Sequence, residues 1–411
     1  MVSITEVEII ATEGRLMKAL VADAPDEQGP KPALILLHEI FGINNAMRAT
    51  ARLFAEEGYL VVLPDLFWRI EQGIDLGYDE ADVGKAMSLF QQFDIAAGLG
   101  DVAATVAAAK ALPNSNGSVA VLGFCLGGTL AVASATLDDV EASVAYYPVA
   151  LNEFKSAGAL RCPVVMHFGG DDPYCPPEAL TSIRERFAGA SVKIYEYPNA
   201  SHAFYNADRT EYAPAAAKTS HTRSLQLLRK RVGPEYDLEA LWERHTYYEF
   251  AERDVDKTIS TMVEEPYVNH VPTMTGGVGR KQLRHFYKNF FVDVHPDDME
   301  VLLVSRTVGV DRIVDEMVSS FTHDRMMDYL LPGIEPTGRK IRVTAVGVIS
   351  FRGSKIFHEH IHYDMGSLLA QAGLIDPSTL PVVGAAAAEK VIDRFSHPSN
   401  ELMTTWYPPE D

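Results

Sequence analysis

A cysteine, an aspartate and a histidine in this chain of 411 residues stand in surroundings that suit nucleophilic catalysis. Cys125 lies in GFCLGG, Asp172 in GGDDPYCP and His202 in PNASHAF. A thiol becomes an effective nucleophile when a base takes its proton and a carboxylate orients that base. These three residues therefore predict acyl transfer through the sulfur of Cys125.

The stretch around Cys125 predicts a strand, a tight turn and a helix. Val119, Val121 and Leu122 form a short apolar run typical of a buried strand, and TLAVASATL continues with helix-compatible spacing. Glycines on both sides of the cysteine permit the strained backbone of a nucleophile elbow, G-x-S-x-G with sulfur in place of oxygen. Backbone N–H groups at a helix N-terminus would also favour the thiolate.

The candidate acid and base occupy loops that follow predicted strands. In α/β-hydrolases the acid and then the histidine follow the nucleophile along the chain, and Asp172 and His202 keep that order. Both loops are expected at the carboxyl ends of strands, at the same sheet edge as Cys125. Asp171 competes with Asp172 for the acid role. Three further histidines lack such context and are assigned no role: His167, His221 and His245.

The order of predicted elements indicates two domains of different class. Strands alternate with helices up to about residue 231, which predicts an α/β domain with a mostly parallel, doubly wound sheet. Beyond it the sequence predicts a charged helix over 238–263, a second helix over 279–291, and then long stretches of strand type. Helices followed by an antiparallel meander make an α+β domain. We therefore expect domains at 1–234 and 235–411.

Composition excludes several classes of partner. The formal net charge of −20 argues against nucleic acid or an anionic membrane, and no apolar run approaches the length of a membrane span. Cys125, Cys162 and Cys175 make neither a disulfide framework nor a zinc knuckle, which indicates a reducing compartment. The N-terminus lacks the pattern of a signal peptide. We expect a cytoplasmic protein that needs no cofactor.

The first 230 or so residues resemble the dienelactone hydrolase family, the carboxymethylenebutenolidases. The matching motifs are HEIFGIN at 38–44, PDL at 64–66, an FDxxAG-type segment at 93–98, GFCLGG, GGDDPYCP and SHAF. The resemblance implies an α/β-hydrolase fold and a Cys-His-Asp triad that hydrolyses a small ester or lactone. It implies Cys125 as the nucleophile and His202 as general base and then acid. It implies Asp172 as the orienting carboxylate, because Asp172 forms the family's D-x-x-x-P frame with Pro176.

The same resemblance implies further site residues. Glu39 matches the family's glutamate that lies against the resting thiol and is displaced when substrate enters; a carboxylate there disfavours the thiolate. The backbone N–H groups of Ile40 and Leu126 would form the oxyanion hole. The arginine that grips the substrate carboxylate in the best-known members is missing, and its segment offers only Lys85. Arg209 is a candidate for a second substrate-binding arginine.

Residues 240–375 resemble the SnoaL-like branch of the NTF2-like superfamily, a cone of curved sheet and helices around a pocket. The motifs are LWERHTYYEF, PTGRKI at 336–341 and HEHIHYDMGSLLAQAGLID. The resemblance implies an α+β cone domain and a homodimer formed through it. It does not imply one activity, because the family includes cyclases, isomerases and binding modules.

Four polar side chains alternate along the predicted strand HEHIHYD: His358, His360, His362 and Asp364. Alternation places all four on one face of the strand. Such a face could hold a metal, since H-x-H on a strand is a known zinc arrangement, or it could supply an acid/base cluster. We favour a polar pocket or a dimer face and predict no metal.

Two functions compete at this point. In the first, the protein is a hydrolase that cleaves a small ester or lactone through a thioester acyl-enzyme. In the alternative, the second domain is the functional centre, as a small-molecule binding or dimerisation module, a cyclase or an isomerase, and the first domain is a scaffold without hydrolytic activity. The complete set of triad candidates favours the first.

Overall fold

The computed structural model describes residues 2–25, 29–151 and 160–406. The chain divides into two compact units, a first domain Met1–Glu235 and a second domain Tyr236–Asp411. In the described ranges, no helix combines the length and the apolar character that a bilayer span requires.

An eight-stranded sheet forms the centre of the first domain. Its strands are β1 (Ser3–Ile10), β2 (Leu16–Asp23), β3 (Lys31–Leu37), β4 (Leu60–Pro64), β5 (Ser115–Phe124), β6 (Ala142–Tyr146), β7 (Val164–Gly169) and β8 (Val192–Tyr197). They lie in the order β1-β2-β4-β3-β5-β6-β7-β8. β1 pairs antiparallel with β2, and β2 pairs antiparallel with β4. All other pairings in this sheet, from β4 through β3 to β8, are parallel. The predicted mostly parallel sheet is confirmed.

The strands in the middle of this sheet are buried along their whole length, as shown by β3, β4, β6 and β7. Burial on both faces explains why these strands are unbroken apolar runs in the sequence. The described helices of this domain are α1 (Asn45–Glu56), α2 (Glu80–Gln92), α3 (Ile95–Lys110), α4 (Leu126–Ser134), α5 (Pro177–Arg186) and α6 (Pro214–Val232). Because the strands are parallel, the loops after β3, β5, β7 and β8 leave the sheet at one edge.

The second domain combines a six-stranded sheet with short helices. Its strands are β9 (Met262–His270), β10 (Thr275–Val278), β11 (Glu300–Val308), β12 (Arg312–Thr322), β13 (Lys340–Arg352) and β14 (Lys355–Tyr363). They lie in the order β10-β9-β14-β13-β12-β11, and only β14 and β9 pair in parallel. The described helices are α7 (Leu238–Thr246), α8 (Val255–Ser260), α9 (Gly279–Phe286), α10 (Met365–Ala372) and α11 (Ala385–Ile392). The predicted α+β class is confirmed.

The helix predicted over 238–263 is wrong in its second half. α7 ends at Thr246 and continues as one π-helical turn, Tyr247–Ala251. Arg253 then takes a left-handed backbone conformation with φ +54°, and Asp254 caps the separate helix α8. From Met262 the chain is strand β9, which is paired on both sides. The pairing of β9 with β14 joins segments that are far apart in the chain, so the local sequence pattern does not predict this strand.

Candidate active site

Cys125 stands at the sharp turn between β5 and α4. Its backbone has φ +54° and ψ −116°, a conformation that is strained for any residue with a side chain. Its N–H donates to the carbonyl of Tyr146 at 3.0 Å, which holds the turn against the neighbouring strand β6. The sulfur is mostly covered, since the residue is 8% exposed. The strand, turn and helix predicted around this cysteine are present.

The glycines beside Cys125 are required by close backbone contacts. A Cβ on Gly123 would lie 2.0 Å from the carbonyl oxygen of Gly127. A Cβ on Gly127 would lie 2.3 Å from the carbonyl oxygen of Leu37 at the end of β3. The first of these carbonyls belongs to helix α4 and the second to strand β3, so neither can move away without disturbing its element. No larger residue therefore fits at these two positions.

Asp172 and His202 meet at the same sheet edge. Asp172 lies in the loop after β7 and His202 in the loop after β8, and Asp172 Oδ2 is 2.8 Å from His202 Nδ1. The other oxygen of Asp172 accepts a hydrogen bond from the backbone N–H of Tyr174 at 2.8 Å. Asp172 is buried, whereas Asp171 is exposed and its N–H is bonded to Ala200. The structure therefore places Asp172, and not its neighbour, against the histidine.

The electrostatics of His202 favour its protonated form. Burial opposes the charged ring, but hydrogen bonds to the Asp172 carboxylate and the Cys125 sulfur outweigh it and raise the pKa of His202 to about 10. His202 therefore contacts both the nucleophile candidate and the acid candidate. The three residues predicted from separate motifs form one chain of contacts.

Glu39 is a buried carboxylate with two hydrogen-bond donors. Oε1 accepts from the Tyr147 hydroxyl at 3.1 Å and Oε2 from the Asn206 side chain at 3.1 Å. Burial raises the pKa of Glu39, while the charge of His202 and these donors act in the opposite direction. Burial and the nearby charges of Glu39 and Cys125 raise the pKa of Tyr147 well above its ordinary value. Tyr147 is therefore bonded to the glutamate and lies close enough to the thiol to interact with its charge.

Three further residues of this network, Tyr147, Asn206 and Tyr78, were not predicted from the sequence. Tyr147 directly follows β6 at the same edge as the loops of the triad candidates, so its position was available as a signal. Asn206 follows His202 by four residues and donates both to Glu39 and, at 2.8 Å, to the Tyr78 hydroxyl. Tyr78 carried no comparable signal, because only folding brings its loop to this edge.

Arg209 lies beside this network without reaching the triad candidates. Its guanidinium binds the Glu211 carboxylate at 3.0 and 3.1 Å and stacks over the rings of Phe41 and Tyr78. The Glu39 charge also contributes to raising the pKa of Arg209. Lys85, in the segment that lacks the family's arginine, instead pairs with Glu71 on the surface.

Two histidines of the first domain that were assigned no role are held by structural hydrogen bonds. His167 is fully buried, between Tyr197 at 2.8 Å and Ser224 at 3.0 Å, and burial lowers its pKa well below the ordinary value. His221 contacts the Tyr205 hydroxyl at 2.9 Å and the Glu57 carboxylate at 3.3 Å.

The second domain contains a cavity of about 680 Å³. Strand β14 contributes Glu359, Ile361 and Tyr363 to its lining. The residues predicted to form the pocket occupy the alternate positions of this strand. Of the four residues predicted to form the pocket, His362 is exposed, Asp364 caps α10 through Ser367, and His358 is bonded to Ser350 at 3.0 Å.

The fourth residue, His360, stacks on His358 and contacts the ring of Tyr267. The predicted pocket residues are therefore not those that line the cavity. A strand alternates with period two, and only the packing of helices on one side decides which parity is enclosed.

Glu249 and Glu359 line the cavity and belong to a buried polar cluster that was not predicted from the sequence. His245, from α7, lies with Nε2 3.0 Å from Glu249 Oε1 and 3.3 Å from Glu359 Oε1. All three side chains are buried. The spacing H-x-x-x-E, which puts two side chains on one helix face, was the available signal.

Two other polar side chains of the cavity wall have no hydrogen-bond partner in the described part of the chain. They are His295, at both ring nitrogens, and Tyr329, at its hydroxyl. His295 is 2% exposed and Tyr329 is 3% exposed. Burial, helped by the charge of Arg253, lowers the pKa of His295 to about 3. Such groups are costly in a dry interior, which makes the cavity a polar binding space.

We expect His295→Phe to make the second domain less sensitive to acid. The folded-state pKa of His295 lies below the unfolded value of about 6.5, so its contribution to stability is present above pH 6.5 and is lost as pH falls toward 3. At pH 4 the variant should recover about 3 kcal/mol of this loss. Urea unfolding of the second domain from pH 4 to 7.5 measures it, with the exposed His362→Phe as control. Equal pH slopes in wild type and His295→Phe would contradict it.

Comparison with known proteins assigns both domains to families. The model of the dienelactone hydrolase family matches residues 17–232, and that of the SnoaL-like polyketide cyclases matches residues 243–372. The carboxymethylenebutenolidase of Pseudomonas putida is 34% identical over 225 residues, which are 54% of this chain and 94% of that protein. Carboxymethylenebutenolidase 1 of Cupriavidus pinatubonensis is 33% identical over 225 residues, 54% of this chain and 95% of that protein.

A solved structure named m3DLH is 25% identical and has a TM-score of 0.48, with 56% of this chain and 99% of that chain covered. The family model matches more than half of the chain, and both relatives are covered almost completely. The chain therefore belongs to the dienelactone hydrolase family and is a carboxylic ester hydrolase, with a SnoaL-like second domain.

Proposed function

We propose that the first domain hydrolyses a small ester or lactone with Cys125, His202 and Asp172 as its catalytic triad. The observation that carries this proposal is the continuous contact from the Asp172 carboxylate through the imidazole of His202 to the thiol at a strained elbow. Relatives named carboxymethylenebutenolidase support the substrate class.

The triad accounts for both halves of the reaction. The Cys125 sulfur, its proton held by His202, attacks the acyl carbon, and the resulting imidazolium gives its proton to the departing alkoxide. In a lactone this alkoxide stays on the same molecule and the ring opens. His202 then takes a proton from water, which attacks the thioester and releases the carboxylic acid together with the free thiol. Asp172 fixes the ring so that Nε2 can face the sulfur.

The oxyanion of each tetrahedral intermediate would be held by the backbone N–H groups of Ile40 and Leu126. Leu126 is the first residue of α4, where backbone N–H groups lack helical partners and the helix dipole favours negative charge. Ile40 follows Glu39 in the loop after β3, at the same sheet edge. Two donors on two different elements would form a fixed pair around one oxygen.

Glu39 would restrain the nucleophile between turnovers. A carboxylate close to a thiol makes the thiolate less favourable, which protects the sulfur from unproductive reactions. Tyr147 and Asn206 each bind one oxygen of Glu39, so both donors influence how near the carboxylate comes to the sulfur. Arg209 would bind an anionic group of the substrate only by exchanging its present partner Glu211.

Trapping of the acyl-enzyme tests this proposal directly. A p-nitrophenyl ester mixed with the protein and quenched in acid should leave one acyl group on the peptide that contains Cys125, seen by mass spectrometry. Cys162 and Cys175 are internal controls, because burial raises the pKa of each to about 11 and keeps both as unreactive thiols. Acylation of either control, or hydrolysis without acylation of Cys125, would contradict the mechanism.

The polar cavity favours a second candidate function for the second domain, the binding of a small molecule. The unpartnered side chains of His295 and Tyr329 support it. A ligand of this cavity would still raise the melting temperature of Cys125→Ala, whereas a substrate analogue bound at the triad would lose contacts there. Dimerisation through this domain stays a prediction.

A further inference from the structure

Three buried side chains of the second domain converge on one point beside the cavity. His245 comes from α7, Glu249 from the π-helical turn Tyr247–Ala251, and Glu359 from β14. One donor atom from each residue lies within 4.8 Å of both others. A π-helical turn displaces side chains from regular helical positions and is often found at functional sites. Here it carries the middle member of the group.

The hydrogen bonds of His245 determine which ring nitrogen faces the carboxylates. The Thr261 hydroxyl donates its proton to the carbonyl of Thr258 at 2.6 Å, so it can only accept from His245 Nδ1 at 2.5 Å. Nδ1 therefore carries hydrogen, and Nε2 points between Glu249 and Glu359. A histidine whose second nitrogen is tied to a fixed acceptor is the usual arrangement of a metal ligand.

The distances at Nε2 match the edges of a metal coordination shell. Donors bound to one ion at about 2.0–2.2 Å are about 2.8–3.6 Å apart in tetrahedral or octahedral geometry. The two contacts from Nε2, 3.0 Å to Glu249 and 3.3 Å to Glu359, fall in this interval. With a neutral imidazole the group carries two negative charges in a buried place, which one divalent cation would neutralise.

The cavity provides independent support for a ligand at this point. Glu249 and Glu359 both belong to its lining, so part of a bound ion's coordination shell would face open space. The same wall carries His295 and Tyr329, each more than nine-tenths buried and without a hydrogen-bond partner among the described residues. These groups could bind a polar molecule or water that completes the shell.

We propose that His245, Glu249 and Glu359 bind one divalent transition-metal ion, with its open coordination positions directed into the cavity of the second domain. One imidazole and two carboxylates suit ions such as Zn²⁺ and Mn²⁺. Thr261 acts as a positioning residue through Nδ1, and Tyr287 does so through its hydroxyl, which donates to Glu359 at 3.4 Å. The competing state is an ion pair of protonated His245 with the two glutamates.

Metal binding to the full-length protein tests the proposal. After treatment with a chelator, titration with Zn²⁺ should show one tight site per chain by calorimetry, and elemental analysis should find one ion retained. Glu249→Gln and Glu359→Gln should each abolish Zn²⁺ binding, and Thr261→Val should weaken Zn²⁺ binding by about 10- to 100-fold. His362→Gln, on the exposed face of β14, is the matched control and should bind normally. Cys125→Ala should also bind normally.

The spectrum of the Co²⁺-loaded wild type decides the case even if the glutamine variants fail to fold. Cobalt held by imidazole and carboxylates shows visible d–d bands without a sulfur-to-metal charge-transfer band. That charge-transfer band, or loss of binding in Cys125→Ala, would place the ion at the thiol and overturn the proposal. If the wild type binds no stoichiometric metal ion, the proposal is also overturned, and the ion pair of protonated His245 with the two glutamates is the state of the cluster. Ester hydrolysis at Cys125 is a separate readout, so its failure would not affect this result.

Discussion

Cys125→Ala is expected to lower kcat/KM for a small ester or lactone by about 10⁴-fold or more, the scale seen when a triad nucleophile is removed from other hydrolases. The substitution removes the atom that forms the acyl-enzyme but leaves the elbow intact, because alanine retains the Cβ. Steady-state hydrolysis of p-nitrophenyl acetate and of a panel of lactones measures the loss. The melting temperature should change little, because the substitution removes one atom and leaves the backbone of the elbow unchanged.

Matched controls separate the role of this thiol from a general effect of cysteine loss. Cys162→Ala and Cys175→Ala remove sulfurs that are as buried as Cys125 but lie in the hydrophobic core, and both should keep near wild-type turnover. Turnover in Cys125→Ala equal to that of the two controls would refute the proposed mechanism and favour the second domain as the functional centre.

Asp172→Asn is expected to lower kcat by about 10³- to 10⁴-fold while KM changes little, by analogy with the aspartate of other triads. An amide at this position can donate to Nδ1 and so hold the ring in the wrong tautomer. It also removes a charge that stabilises the imidazolium, so the pKa of His202 should fall from about 10. The pH–rate profile of the variant would report this second effect.

The sign of the accompanying stability change follows from the same pKa. Because the folded-state pKa of His202 lies above the unfolded value of about 6.5, its contribution is complete below pH 6.5 and is lost as pH rises through 10. The stability difference between wild type and Asp172→Asn should therefore shrink over that interval. Asp171→Asn is the control, since this neighbour is exposed. A larger kinetic loss in Asp171→Asn than in Asp172→Asn would exchange the proposed roles.

Much of the first domain was predictable because its strands and its sequence motifs are each encoded by a short segment of the chain. Apolar runs mark strands buried on both faces, and parallel strands must deliver their following loops to one edge. The approach of Asp172 and His202 follows from this rule together with chain order. The same rule does not predict the position of Tyr78, because its contact with Asn206 joins segments 128 residues apart.

The second domain contains several features that the pattern of a short sequence segment does not predict. The charged stretch 238–263 has helical composition throughout, yet its end becomes strand β9 through pairing with β10 and β14. The histidines of HEHIHYD were predicted to form a pocket because they alternate along one face of the strand, whereas Glu359, on the other face, lines the cavity. His245 had an i, i+4 partner in the sequence, but its second carboxylate lies more than a hundred residues away.

The class of each domain, the elbow at Cys125 and the motifs that carry its candidate acid and base follow from the sequence alone. These features depend on hydrophobic periodicity, on glycine where a Cβ cannot fit, and on the order of the motifs along the chain. All three can be read directly from the sequence. The donors that bind Glu39, the parity of β14 that faces the cavity and the contact of His245 with two glutamates are visible only in the folded chain. Those facts depend on which segments pack together, because burial and pairing energies arise between residues distant in the chain.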